Sequence, residues 1–348
     1  MVNLTNEYNQ PVIHAQTKIQ PEVRLTSSEL ANLWASWMES SIKECIVKYF
    51  LTFTEDQEIR DILEYTLGIA QKHLQRLSQI YEEENHPIPR GFTDDDINLD
   101  APRLFTDSFI LAFLEDMAKV RLDGYSTAMQ MSTRADVRKF FTECVADPAE
   151  IYNRVVSVML SKGIYMRPPH IPVPEKVDFV KKQSFLTGYL GKRRPIVSVG
   201  ISHVFSGLQT NSFRKGIFSG FAQVTDSKQV RQYMERGKEI SSKHAEIFGS
   251  LLMKEDLPVT MPWDSGITES RISPFSDRLM MQKVWESNSV LIGSYGKAFS
   301  VVLRNDLSID FVRLMMETAK YAQDGLNILI DNGWLEEPPQ SKGRNDLH

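Results

Sequence analysis

The side chains that could carry chemistry in this sequence are histidines and carboxylates at helical spacing. His73 and His244 each lie on an apolar stripe with steps of three and four residues: Ile59, Ile62, Thr66, Ile69, His73, Arg76, Ile80, and Val230, Tyr233, Gly237, Ile240, His244, Ile247, Leu251. Such spacing puts each imidazole on the buried side of a helix. A dinuclear iron or manganese centre in a helical bundle needs a Glu from each of two helices and a Glu-x-x-His from each of two others, because hard oxygen ligands with imidazole nitrogen suit those ions. The first half offers Glu44, His73 and Glu115, whereas the matching positions of the second half are Lys215, His244 and Trp285. The Glu-x-x-His string Glu83 to His86 stands at a helix end, and its counterpart Lys254 to Leu257 holds no ligand. The expectation is therefore no metal and no cofactor. The alternative is iron, manganese or zinc at His73, His244, Glu44 and Glu115. Both histidines are expected to be core residues whose ring nitrogens bond a neighbouring helix, as buried polar groups must.

Other candidates have structural readings beside the chemical ones. The run DDDINLD sets Asp94, Asp96, Asn98 and Asp100 at alternate positions, like a calcium loop, but Leu99 stands where such a loop needs Gly and Phe105 where it needs a bidentate Glu. Cys45 and Cys144 are expected to be buried thiols and not nucleophiles. Asp107 and Asp277 suit the first turn of a helix. Arg134 with Asp136, and Arg304 with Asp306, should fasten a turn, and Tyr125 and Tyr295 should be core aromatics with a polar tip. Lys176, Lys181, Lys182, Lys192, Arg193 and Arg194, interleaved with Phe179, Phe185 and Tyr189, would suit phosphate or anionic lipid; the default is a solvated linker whose aromatics dock between the bundles. A Gly-rich phosphate loop and a Gly-x-Ser-x-Gly elbow are both missing.

These residues are positioned by a pattern written twice. A slide of 171 residues lays Phe50 on Phe221, Thr54 on Thr225, His73 on His244 and Pro87 on Pro258, and a slide of 170 lays Phe105 on Phe275, Asp107 on Asp277, Tyr125 on Tyr295, Arg134 on Arg304, Asp136 on Asp306 and Gly163 on Gly333. Each copy reads as four helices. In the first, Thr26 and Glu29 form a capping box before a helix to about Leu51. A second helix carries the His73 stripe, a third runs from about Leu104 to Met131, and a fourth starts at Asp136 as N-cap and ends at Gly163, with a kink at Pro148. The connection from Glu83 to Arg103 is long. About 20 extended residues can retrace a helix of about 25, so helix three can begin where helix two began. The outcome is an all-α protein of two tandem four-helix bundles, ferritin-like, with a long crossover between helices two and three of each. Expected boundaries are an N-terminal arm over 1–24, bundle 1 over 25–166, a Pro-rich then basic linker over 167–195, bundle 2 over 196–340 and a tail over 341–348. Phe92 and Trp263 share a crossover position and should each pin that loop to its own bundle.

Composition narrows the classes. The 348 residues are 42% hydrophobic and 24% charged with net charge −5, which excludes a disordered chain and a globally basic nucleic-acid binder. No apolar run approaches the roughly 18 residues of a membrane span, and the start MVNLTNEYNQPVIHAQ lacks the apolar core of a signal peptide, so a cytoplasmic setting is expected.

Segments such as GFTDDDINLDAPRLFTD (Gly91 to Asp107), RPPHIPVPEKVDFVKKQSFL (Arg167 to Leu186), GFAQVTDSKQVRQYMERGKEISSKH (Gly220 to His244) and PFSDRLMM (Pro274 to Met281) resemble the domain-of-unknown-function family 3231 of endospore-forming bacteria, in its two-copy form. That resemblance implies ferritin-like bundles, a distant likeness to the spore-coat F family and a setting in sporulation or stress; it implies no catalytic residue. The expected function is a non-catalytic structural or interaction protein, with a protein partner or self-association and neither nucleic acid nor a membrane span. The alternatives are a metal-binding protein or oxidoreductase, and a binder of an apolar small ligand between helices.

Overall fold

The computed structural model describes residues 23–188, 194–259 and 263–341; residues 1–22 of the expected arm, Tyr189, Lys192, Arg193 and the tail 342–348 lie outside them. Eight α-helices account for the described chain: α1 Ser27–Leu51, α2 Gln57–Glu83, α3 Asp107–Gln130, α4 Ala135–Ser161, α5 Ser198–Val224, α6 Lys228–Met253, α7 Asp277–Val301 and α8 Asn305–Asp331. They form two tandem bundles in which α1 pairs with α2, α3 with α4, α5 with α6 and α7 with α8. The Thr26–Glu29 capping box closes the start of α1, and Asp56 caps α2.

The fourth helix begins differently from the expectation. It starts at Ala135 with Arg134 as cap residue, and Asp136 lies in its first turn, clamped by the Arg134 guanidinium. The capping role passes to Glu29, whose Oε1 accepts from the backbone N–H of Thr133 at 2.8 Å and of Arg134 at 2.7 Å. Burial opposes a charge on Glu29, yet the N–H groups of Arg134 and Thr26, the Thr26 hydroxyl and the Thr133 N–H bring its carboxyl down to about 2. Pro148 sits inside α4, which continues through it without a break, and Gly163 takes φ +69° just beyond the helix end.

Arg134 also holds Glu84 at the end of α2, so α2 and α3 finish at the same end of the bundle. They are parallel, and residues 84–106 must travel the length of the bundle to join them. Arg304, only 1% exposed, repeats this knot with Asp306 at 2.8 Å and Glu255 at 2.8 Å.

The two crossovers pair with each other. Isolated antiparallel bridges join Ile97 to Phe275 and Phe105 to Ile267, and the second pair is the first with the copies exchanged. The N–H of Asn98 donates to Pro274 O at 2.8 Å and that of Thr106 to Gly266 O at 2.9 Å. Asp96 strengthens the joint by accepting from Ser276 Oγ at 2.7 Å and from Arg278. An aromatic core then runs through the joint, with Phe109 stacked on Phe213 at 5.2 Å and Phe105 6.4 Å from Phe221. Closeness demands glycine here: a Cβ on Gly216 would fall 2.4 Å from the Phe109 ring, and one on Gly220 2.7 Å from Phe105.

Two sequence expectations change accordingly. Trp263 packs edge-on to Phe109 of the other bundle, and Phe92 lies under Arg278 of the other bundle at 4.1 Å, so each ring reaches across the joint and not only to its own bundle. Of the linker aromatics among the described residues, Phe179 is 81% exposed and Phe185 is half-buried beneath Arg194 at 3.8 Å, so neither takes the expected place between the bundles. No helix among the described residues is long and apolar enough to cross a membrane.

Candidate functional site

Each bundle holds a buried polar layer around its core histidine, and these two layers are built from equivalent positions. In bundle 1, His73 on α2 places Nε2 2.8 Å from Asp147 Oδ2 on α4 and Nδ1 3.3 Å from the Tyr125 hydroxyl on α3. In bundle 2, His244 on α6 places Nε2 3.0 Å from Glu317 Oε2 on α8 and Nδ1 3.1 Å from the Tyr295 hydroxyl on α7. Asp147 and Glu317 are related by the same slide of 170 that superposes the tyrosines. The layer is thus a His–Tyr–carboxylate triad from three helices, and its carboxylate is what the stripe analysis missed.

Hydrogen-bond accounting assigns the protons in bundle 2. Asn211 Nδ2 donates to the Tyr295 oxygen at 2.7 Å, so the tyrosine proton points to His244 Nδ1, and the remaining N–H at Nε2 donates to the carboxylate. Burial lowers His244 to about 4 despite Glu317, and burial raises the Tyr295 hydroxyl. A neutral ring with both nitrogens engaged has no free lone pair for a metal and no proton poised for transfer near neutral pH.

Bundle 1 differs by one sulfur and one carboxylate. Cys144 Sγ lies 3.4 Å from His73 Nε2, where bundle 2 has Leu314. Burial raises the Cys144 thiol, and burial likewise lifts Cys45 to about 12, so neither is a ready nucleophile. Glu39 Oε2 lies 3.2 Å from the Tyr125 hydroxyl, and Glu39 itself is buried beside Lys43 and Arg121. A hollow of about 250 Å³ between α2 and α4 has His73 and Cys144 in its lining, with both side chains still buried.

The other sequence candidates are spent elsewhere. Glu44 pairs with Lys48 at 3.2 Å and accepts from Gln71, and Glu115 pairs with Lys119 at 2.6 Å; neither contacts His73. Among the described residues no group of three or more His, Cys, Asp and Glu side chains gathers as a metal-binding set. Asp94 holds Lys48, Asp96 serves the inter-bundle joint, and Asn98 caps the N–H of Asp100, so the calcium-like run is used structurally.

Fold and site together define a duplicated helical-bundle protein with a buried His–Tyr–carboxylate layer in each bundle. The chain belongs to the family described as a protein of unknown function, DUF3231, whose model matches it twice, over residues 14–177 and 184–347. Among solved structures, a candidate spore coat protein from Bacillus halodurans C-125 is similar at 15% identity over 43% of this chain and 98% of that one, with a TM-score of 0.38. No curated protein matches the chain.

Proposed function

We propose that this protein is a non-catalytic scaffold: a rigid two-bundle block that works in the cytoplasm by binding, through its helix faces and the cleft between its bundles. The observation that carries this reading is the closed character of the polar layers, in which both nitrogens of His73 and of His244 are bonded within their own bundle. A group retained for reaction would keep a face toward a substrate. Interaction is supported by an exposed apolar end on bundle 2, where Phe299, Val301, Leu303 and Ile309 are 42–54% exposed. Protein partners or self-association would use such a face. Two unpaired thiols agree with a reducing compartment.

The competing reading is a metal site in bundle 1, favoured by Cys144 and Asp147 meeting His73 at one nitrogen. Metal analysis of the purified chain separates the two. The scaffold reading expects no stoichiometric iron, manganese or zinc; a metal at one per chain that vanishes in a His73→Ala, His244→Ala double variant would overturn it.

A further inference from the structure

Bundle 2 ends in an apolar tip. The Arg304–Glu255 pair at 2.8 Å brings the end of α6 beside the corner between α7 and α8. Around that corner Met253, Val259, Phe299, Val301, Leu303 and Ile309 are 42–57% exposed. The same end of bundle 1 is an internal control. The two slides lay Glu82 on Met253, Glu83 on Lys254, Thr133 on Leu303 and Lys139 on Ile309, and all four bundle 1 side chains are exposed. Val259 and Val301 keep their apolar character there, as Ile88 and Met131. Bundle 1 thus closes the same fold with polar and partly acidic residues, so folding does not explain the apolar and basic ones of bundle 2.

The exposed side chains surround the tip. Phe299 and Val301 lie two residues apart in α7 and so project about 200° from each other. A protein face laid against one side of the corner would cover one of them and leave the other in water, whereas a tip that enters a lipid surface buries both. Charge points the same way. Glu255 and Asp306 are held by Arg304, and Asp310 by Arg313 at 2.9 Å. Arg194 donates from Nη2 to Leu303 O at 2.8 Å and from Nε to Phe185 O at 2.6 Å, which ties the basic end of the linker to the tip. Lys182 stays close, since its carbonyl accepts from the Phe185 N–H at 3.0 Å. Among the described residues Lys182, Arg194 and Lys254 form no ion pair, and Asp256 is the exposed unpaired acid beside them. Two copies meeting through this tip would set those cations against one another; an anionic lipid surface complements them.

We propose that the tip of bundle 2 docks on an anionic lipid surface, with its apolar side chains entering the acyl boundary and Lys182, Arg194 and Lys254 facing the headgroups. The contact is peripheral, since no described helix is long and apolar enough to cross a membrane. The inference deepens the scaffold reading by naming what the exposed end of bundle 2 meets, and a second copy there is the competing outcome. The two fail separately, because a stoichiometric metal would leave the tip as it is and a failure to bind lipid would leave the polar layers intact.

The test is co-sedimentation of the full chain with vesicles of dioleoylphosphatidylcholine alone and of a three-to-one mixture with dioleoylphosphatidylglycerol. Saturable binding is expected, at least tenfold tighter to the mixed vesicles and weakened by added salt. Met253→Glu, Leu303→Thr and Ile309→Lys together give the tip the residues of bundle 1 and leave the net charge unchanged. That triple variant should melt close to the parent and bind the mixed vesicles at least tenfold more weakly. Phe299→Ser alone, at a half-exposed site, repeats the test with a smaller change to the fold. Lys254→Glu should reduce the preference for the mixed vesicles at least threefold. The proposal is overturned by a lack of binding to either vesicle, by equal binding to both, by undiminished binding in both apolar variants, or by a dimer of the parent that the triple variant abolishes.

Discussion

His244 donates from Nε2 to Glu317 at 3.0 Å while remaining fully buried, and burial holds it at about 4 against an ordinary 6.5. Between those values the unfolded chain binds a proton that the folded chain refuses, so stability rises with pH across the window and is complete above it. As pH falls from about 6.5 toward 4 the chain should lose on the order of 3 kcal/mol. Burial opposes a charge on Glu317, but Lys243 and His244 hold it below the usual carboxylate range, which adds a loss of the same sign below about pH 4.5. Urea midpoints at pH 7 and pH 4.5 measure the drop, and His244→Gln should flatten most of it. A midpoint independent of pH in the parent would contradict the buried neutral ring.

Tyr233 and Tyr321 stack at 4.2 Å, and each hydroxyl donates to the other's backbone carbonyl, at 3.1 and 2.9 Å. The arrangement depends on glycine, since a Cβ on Gly325 would fall 2.1 Å from the Tyr233 oxygen. Gly325→Ala should destabilise by about 1–3 kcal/mol through overpacking. Gly124→Ala, on an open helix face, should stabilise by about 0.5–1 kcal/mol. Thermal unfolding of the two variants against the parent checks the opposite signs.

Asp96 accepts from Ser276, Arg278 and the Thr93 N–H, so it binds the first crossover to the start of α7. Asp96→Ala leaves the half-buried Arg278 guanidinium and the Ser276 hydroxyl each short of a partner and should cost about 1–3 kcal/mol. Because the two crossovers form one joint, the loss should appear in a single denaturant transition of the whole chain. Two separated transitions in the parent would refute that coupling.

Both thiols are buried, and burial raises both. Ellman's reagent should find no reactive thiol in the native protein at pH 8 and two per chain once denaturant is added. Rapid native reaction at Cys144 would mean that the hollow beside His73 exposes its sulfur.

Much of this architecture is legible in the sequence alone because duplication writes the same signal twice. The His73 and His244 stripes emerge from the slide of 171 residues, and the tyrosines at positions 125 and 295 and the Arg–Asp turns from the slide of 170. The same slide aligns Asp147 with Glu317 and exchanges one carboxylate for a longer one, which identity matching passes over although the chemistry is kept. Glu84 and Glu255 were equally within reach, as identical residues at matching positions. What the sequence could not carry is the joint. The pairing of Ile97 with Phe275 depends on how two bundles face each other, and no period along one chain encodes that. Asp136 misleads as a cap because its carboxylate is claimed by Arg134, while the cap comes from Glu29 more than 100 residues earlier.

The central claim is that the repeated polar layers hold the fold together and do not serve a reaction. Residues kept for chemistry commonly cost stability, so replacing them leaves a protein as stable or more so; residues kept for packing cost stability when removed. The unfolding free energies of His73→Ala, His244→Ala and the double variant in urea at pH 7 test this most directly. Each single change should lower stability by about 2–4 kcal/mol, with the double near the sum because the layers share no partner. Unchanged or increased stability in either single variant would contradict the account.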